Sequence, residues 1–333
     1  MSVERGQATH TSPQPPSILQ IIADSVNTLI YAPAILVIPF LLDLLYVGGW
    51  PVSVLPVFQR FGRRFDDASF TGSERIAEGI RDVGGVDVTG VFSLVLPTLF
   101  GGTDASETYD PVSRQDIVIE QPVIAGVLLV GAFFAAALVY GLFGSWLADV
   151  GLDRQRSWSA RIRALPRLTI RVAATYALGI GIALAVSLPL ILAWGATSLA
   201  GLDLRGLFLP LIAIAMTALL VLFFFAPEAV FVAGARPAEA LRLSVRIVRR
   251  NGWLTLGFIG STTLLSWGLA EIWEQMASNI PGLILAMIGS AFTGCTLALA
   301  AMLYFNERWQ SLQSDPTATG DKTRSRIRNN DRR

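Results

Sequence analysis

Few side chains in this sequence could perform acid–base, nucleophilic or metal chemistry. The 333-residue chain has one histidine, His10, and one cysteine, Cys295. An HExxH zinc site needs two histidines and a CxxC site needs paired cysteines, so both are excluded. Intramembrane serine proteolysis needs a His or Lys base at depth, whereas His10 and Lys322 lie near the chain ends. We therefore expect no catalytic residues, no cofactor and no metal, and we predict that the protein is not an enzyme.

Ionisable residues at predicted helix ends are the remaining candidates for chemistry. Glu228 follows Pro227, which frees backbone carbonyls and bends a helix. We predict a structural ion pair between Glu228 and an arginine of the segment that follows it. A substrate or proton site at Glu228 is the alternative, because intramembrane carboxyl groups are often functional.

The segment 237–250 has the clearest local pattern in the chain. At about 100° per residue, four arginines fall on an arc of about 100°, and apolar residues fill most of the rest. Pro237 suits the first turn of a helix, and Asn251-Gly252 ends one. The pattern predicts an amphipathic helix in the cytoplasmic interface, with these arginines facing anionic lipid headgroups: Arg242, Arg246, Arg249 and Arg250.

Composition places these residues in a membrane protein. Hydrophobic residues make up 53% of the chain and charged residues 15%, with a mean hydropathy of +0.54, whereas soluble domains are about 25% charged. A net charge of +1 argues against a nucleic-acid partner. Six predominantly apolar, charge-free windows are each long enough to cross a bilayer. We predict an all-α polytopic bundle over 18–310 with six transmembrane helices, at about 25–47, 122–148, 172–197, 206–227, 252–273 and 282–306.

The distribution of basic residues predicts the orientation of these helices. With six spans and both termini in the cytoplasm, 19 of the 26 Lys and Arg lie on the cytoplasmic side, as the positive-inside rule requires. The predicted location is the plasma membrane, with 48–121 as an outer loop. The apolar stretch 88–100 is too short to span, so we expect it to be re-entrant or interfacial.

Outside the predicted spans the chain is mostly polar. Residues 1–17 and 311–333 are predicted to be disordered cytoplasmic tails, the second of them basic. Within the outer loop, aromatic residues at Phe58, Phe61 and Phe65 predict a short amphipathic helix on the membrane surface.

One stretch resembles a known group of proteins. The run from Pro227 to Trp253 has an acidic residue and a glycine at a helix end, then Ala-Leu-Arg-x-Ser, then a basic pair before an aromatic residue. It resembles uncharacterised bacterial and archaeal multi-span proteins, including the membrane domain found with some glycerophosphoryl diester phosphodiesterases. Leu29–Pro39 is similar to that group's first helix. The resemblance implies a multi-span membrane fold, and the phosphodiesterase catalytic domain is absent from this sequence.

These observations together give a functional hypothesis. A bundle without a catalytic set predicts a non-catalytic scaffold, accessory or lipid-organising membrane module. Its expected partners are the lipid bilayer, anionic lipid headgroups and an unidentified membrane protein. The alternative is a transporter or channel-like protein for a hydrophobic or lipid-like solute, because prolines kink several spans and the fifth carries small polar residues.

Overall fold

The computed structural model describes residues 16–48, 52–66, 117–154, 156–199, 202 and 204–314, and this part of the chain is almost entirely helical. The prediction of an all-α protein is confirmed for it, apart from one pair of two-residue strands. The elements in chain order are α1 (Ile18–Tyr31), a 3₁₀ turn (Pro33–Leu36), α2 (Val37–Gly48), β1 (Val52–Ser53), α3 (Leu55–Asp66), β2 (Ile117–Val118), α4 (Pro122–Gly151), α5 (Trp158–Leu199), α6 (Arg205–Phe223), α7 (Ala226–Val232), α8 (Pro237–Arg250), α9 (Gly252–Met276) and α10 (Ile280–Ser314).

Four helical segments of the described chain are long and apolar enough to cross a membrane. They are Pro122–Gly151, Trp158–Thr197, Gly206–Val232, which joins α6 to α7, and Ile280–Ser314. These segments contain four of the six predicted spans. Many of their large apolar side chains are exposed, among them Val123 and Leu220. Exposed apolar surface of this extent is typical of helices that face lipid.

The predicted first span, 25–47, is not one continuous helix. The helical segments Ile18–Tyr31 and Pro33–Leu45 meet at an angle of 93°, as in a broken span or a re-entrant pair. Ala32 between them has φ −130° and ψ 55°, because a residue before proline is disfavoured in the α region. The described residues therefore contain four helices that are long and apolar enough to cross a membrane, or up to five if the bent pair is one span, and six spans are not confirmed.

The predicted fifth span, 252–273, is helical but is not among the four. Helix α9 has 25 residues, which is long enough. Glycines and small polar residues such as Thr262, Thr263 and Ser266 lower its mean hydropathy. The helix is therefore long enough to cross a membrane but less apolar than the four segments above.

Helix α5 begins well before the predicted third span, 172–197. It is 42 residues long and includes Pro166. The arginines from Arg161 to Arg171 were placed outside the predicted span, because their charges interrupt the apolar window. They lie instead on a continuous helix that extends beyond the apolar segment, and this placement forms one wall of the site described below.

The interior of the bundle lies around α7 and α8, which contact α5, α6 and α10. Phe225 stacks on Tyr304 at 5.4 Å between ring centroids, and Tyr304 stacks on Phe258 at 4.4 Å. The hydroxyls of Tyr304 and Thr255 are 3.1 Å apart, so the polar end of this aromatic stack has a partner.

Few residues of the predicted outer loop, 48–121, belong to the described chain. Helix α3 agrees with the predicted amphipathic helix there. Strands β1 and β2 pair in parallel, with Val52 opposite Ile117, and Arg60 pairs with Glu120 at 2.9 Å. The stretch 88–100 lies outside the described residues, as do 1–15 and 315–333 of the predicted tails. Helix α10 continues to Ser314, past the predicted start of the second tail at 311.

Candidate functional site

Helix α8 has the predicted bounds and places its arginines on one exposed face. Arg242, Arg246, Arg249 and Arg250 are exposed, whereas Ala240, Ser244 and Ile247 on the opposite face are fully buried. The buried face packs on α5, α6, α7, α9 and α10. Other helices of the protein therefore cover the face that the interfacial hypothesis assigned to acyl chains. Contact between the four arginines and lipid headgroups stays a prediction.

Glu228 lies away from those arginines. It is only 7% exposed, in the first turn of α7. Within the described residues no ion pair joins Glu228 to an arginine of α8, and its Oε2 atom has no hydrogen-bond partner. Glu228 faces the interior near Tyr140 and Tyr176, whereas the arginines of α8 face outwards.

A cavity of about 420 Å³ lies where the end of α4, the beginning of α5 and the end of α7 meet. Its volume is in the range of small-molecule sites. Five arginines and one carboxylate are among its lining residues: Arg154, Arg156, Arg161, Arg167, Arg171 and Asp149. We call this feature the arginine cavity.

Asp149 is the acidic residue of the arginine cavity. Its side chain is 1% exposed and accepts a hydrogen bond from Arg161 Nε at 2.9 Å. Arg156 Nε lies 3.6 Å from its other oxygen. The guanidinium of Arg161 also lies over the rings of Trp146 and Trp158, at 6.0 and 5.8 Å from their centroids. Arg161 is therefore fixed on two sides, by an ion pair and by cation–π contacts.

Two further arginines hold the end of α7. Arg154 donates to the carbonyls of Phe231 and Val232 at 3.3 and 2.9 Å, and Arg171 donates to that of Gly234 at 2.8 Å. The last carbonyls of a helix lack partners within the helix and carry partial negative charge. Gly234 has φ +65°, which suits glycine at this turn. Because carbonyls carry no net charge, these hydrogen bonds do not neutralise either arginine.

Arg167 lines the cavity from the exposed side of α5. No hydrogen bond or ion pair of Arg167 occurs within the part of the chain that the structure describes. The five arginines and one carboxylate leave an excess of four positive charges around the cavity. Guanidinium groups bind phosphate and carboxylate through paired hydrogen bonds, so this arrangement suits an anion.

The described residues contain no cluster of three or more His, Cys, Asp or Glu side chains that could hold a metal ion.

In the sequence, the arginines of the cavity served only as charges that predict the orientation of the helices. The four-residue spacing of Arg167 and Arg171 was the available signal that both lie on one helix face. The contacts of Arg154 and Arg171 with the end of α7 could not be predicted from local sequence patterns, because they join residues far apart in the chain.

No protein-family model, curated protein or solved structure matches this chain. The resemblance of 227–253 to membrane domains of the phosphodiesterase-associated group stays a prediction.

Proposed function

We propose that this chain is a non-catalytic, multi-pass protein of the plasma membrane that binds and organises anionic phospholipids. The observation that carries the proposal is the arginine cavity, with five guanidinium groups and one carboxylate at three converging helix ends. Basic cavities between membrane helices bind the headgroups of anionic lipids.

The depth of the cavity supports a headgroup ligand. Trp146 and Trp158 flank Arg161, and tryptophan favours the headgroup level of a bilayer. The cavity lies at helix ends, which suits headgroup binding better than passage of a solute through the membrane. This position favours the lipid-organising module over the transporter alternative.

Both termini in the cytoplasm and six membrane crossings remain part of the proposal. In that orientation the ends of α4 and α7 and the beginning of α5 all face the cytoplasm, where the exposed arginines of α8 also lie. The excess of Lys and Arg on that side supports this arrangement. The proposed partners are therefore anionic lipids of the cytoplasmic leaflet.

Native mass spectrometry of the purified protein tests the proposal. Phosphatidylglycerol and phosphatidylcholine are added in equal amounts, and the lipid that stays bound is identified. We expect preferential retention of phosphatidylglycerol, reduced in the double variant Arg156→Gln/Arg167→Gln. Arg163→Gln is the matched control, because Arg163 is exposed on the same helix but does not line the cavity. Equal retention of the two lipids by the unaltered protein contradicts the proposal.

A further inference from the structure

We propose that the arginine cavity binds a phosphomonoester group carried by a membrane lipid more tightly than it binds other anionic headgroups. This inference rests on the proposed function and names the ligand class of the same site. A phosphodiester such as phosphatidylglycerol carries one negative charge, whereas a phosphomonoester carries about 1.5 to 2 at neutral pH.

The charge of the cavity exceeds what a single negative charge compensates. Asp149 pairs with both Arg156 and Arg161, whereas the side-chain hydrogen bonds of Arg154 and Arg171 within the described residues all go to neutral carbonyls. Arg167 and Arg236 both lie near enough to Arg171 for their charges to repel it, and the single carboxylate of Glu239 offsets part of this repulsion. A ligand with two negative charges relieves more of this repulsion than a ligand with one.

The donors of the cavity are held in place before a ligand arrives. A guanidinium group has five N–H donors. Arg154 uses two of its nitrogens to bind the end of α7, and Arg171 uses one, so donors remain on both. The same hydrogen bonds fix the position of these side chains, which lowers the entropy lost when an anion binds. Arg167, which lines the cavity from the exposed side of α5, is then the donor that completes the site from the solvent side.

The surroundings of the cavity favour a lipid over free phosphate. Arg161 lies against two tryptophans at the predicted headgroup level. On the same helix Ile162 and Ile170 are exposed, and they offer apolar surface to acyl chains beside the charged residues. The volume of about 420 Å³ also leaves room for the glycerol part of a headgroup. A soluble phosphate ester would use the arginines but leave this apolar surface unused.

Binding of fluorescent lipids to the full-length protein in neutral detergent micelles tests the inference. The ligands are phosphatidate, which is a phosphomonoester, phosphatidylglycerol and phosphatidylcholine, with glycerol 3-phosphate and inorganic phosphate as soluble competitors. We expect phosphatidate to bind at least about tenfold more tightly than phosphatidylglycerol, a difference of about 1.4 kcal/mol. Neither soluble competitor should displace it at equal concentration.

Arg167→Gln should reduce the preference for phosphatidate to less than about threefold, and Arg163→Gln should leave it unchanged. Arg167 is exposed and makes no hydrogen bond within the described chain, so its loss should not prevent folding. Arg156→Gln is a second variant at a side chain that is 51% exposed, and it should weaken the preference in the same direction.

The outcomes separate the two proposals. Equal binding of phosphatidate and phosphatidylglycerol, both above phosphatidylcholine, overturns the phosphomonoester inference and leaves the proposed function standing. Binding of neither above phosphatidylcholine overturns both. Full displacement by glycerol 3-phosphate at equal concentration overturns the assignment to a lipid. A preference that Arg163→Gln reduces as much as Arg167→Gln overturns the assignment to the cavity.

Discussion

Ser244 connects three helices at the break between α6 and α7, and its hydroxyl allows a quantitative prediction. The side chain is fully buried. Its Oγ accepts from the N–H of Phe225 at 3.1 Å and donates to the carbonyl of Leu222 at 2.7 Å. The break exists because Pro227 has no N–H and disrupts the preceding helical turn. Ser244 therefore supplies partners to backbone groups that the broken helix leaves unpaired.

Ser244→Ala removes both hydrogen bonds without a large change in volume. A buried backbone group left without a partner costs about 1–3 kcal/mol, and two groups with partial relaxation cost about 2–4 kcal/mol. The higher helix propensity of alanine returns about 0.5 kcal/mol. At about 2 °C of melting temperature per kcal/mol for a chain of this size, we expect a decrease of about 3–7 °C.

Ser25→Ala is the matched control. Ser25 is also fully buried, but its hydroxyl donates only to the carbonyl of Ile21, which belongs to its own helix. Helix α1 supplies the hydrogen bonds of its own carbonyls, so little should change.

The assay uses Cys295, the one cysteine of the chain, whose side chain is fully buried. A fluorogenic maleimide reacts with it as the protein unfolds in detergent during heating. If the two alanine variants melt within about 1 °C of each other, Ser244 does not stabilise the break between α6 and α7.

Two further predictions concern packing and orientation. A Cβ at Gly144 would lie 2.5 Å from the ring of buried Phe231, so Gly144→Ala should lower the free energy of unfolding by about 1–3 kcal/mol. Gly131→Ala on the same helix meets no atom within 4 Å and should be neutral or slightly stabilising by thermal melting; equal effects would contradict the packing argument. For the orientation, cysteines at Ser159 or Ser311 in a Cys295→Ala background should react with an impermeant thiol reagent only from the cytoplasmic side. Labelling from outside would show that the proposed topology is wrong.

Local signals in the sequence determined most of the helical elements. Helix α8 begins at Pro237 and ends before Asn251-Gly252 as predicted, because a proline in the first turn and a breaking pair act within a few residues. Charge-free apolar windows located the helices that contain four of the predicted spans. The helix ends and the apolar windows depend on residue type and helical periodicity, and both can be determined from the sequence alone.

The bends and extensions of the helices were harder to predict from the sequence. Pro33 was visible as a kink, but the 93° angle at Ala32 depends on how both halves pack against the bundle. The extension of α5 through Arg161 to Arg171 was not predicted, because hydropathy alone does not distinguish a charged helical segment from a loop.

The arginine cavity was decided by tertiary structure alone. Arg154 contacts the carbonyls of Phe231 and Val232, which are 77 and 78 residues further along the chain. The same packing turned Glu228 towards the interior and away from the arginines that were its predicted partners. Residue type predicted that these arginines would carry charge at the membrane surface. Only the packing of α4, α5 and α7 determined which of them surround one cavity, because contacts between distant segments depend on how whole helices fit together.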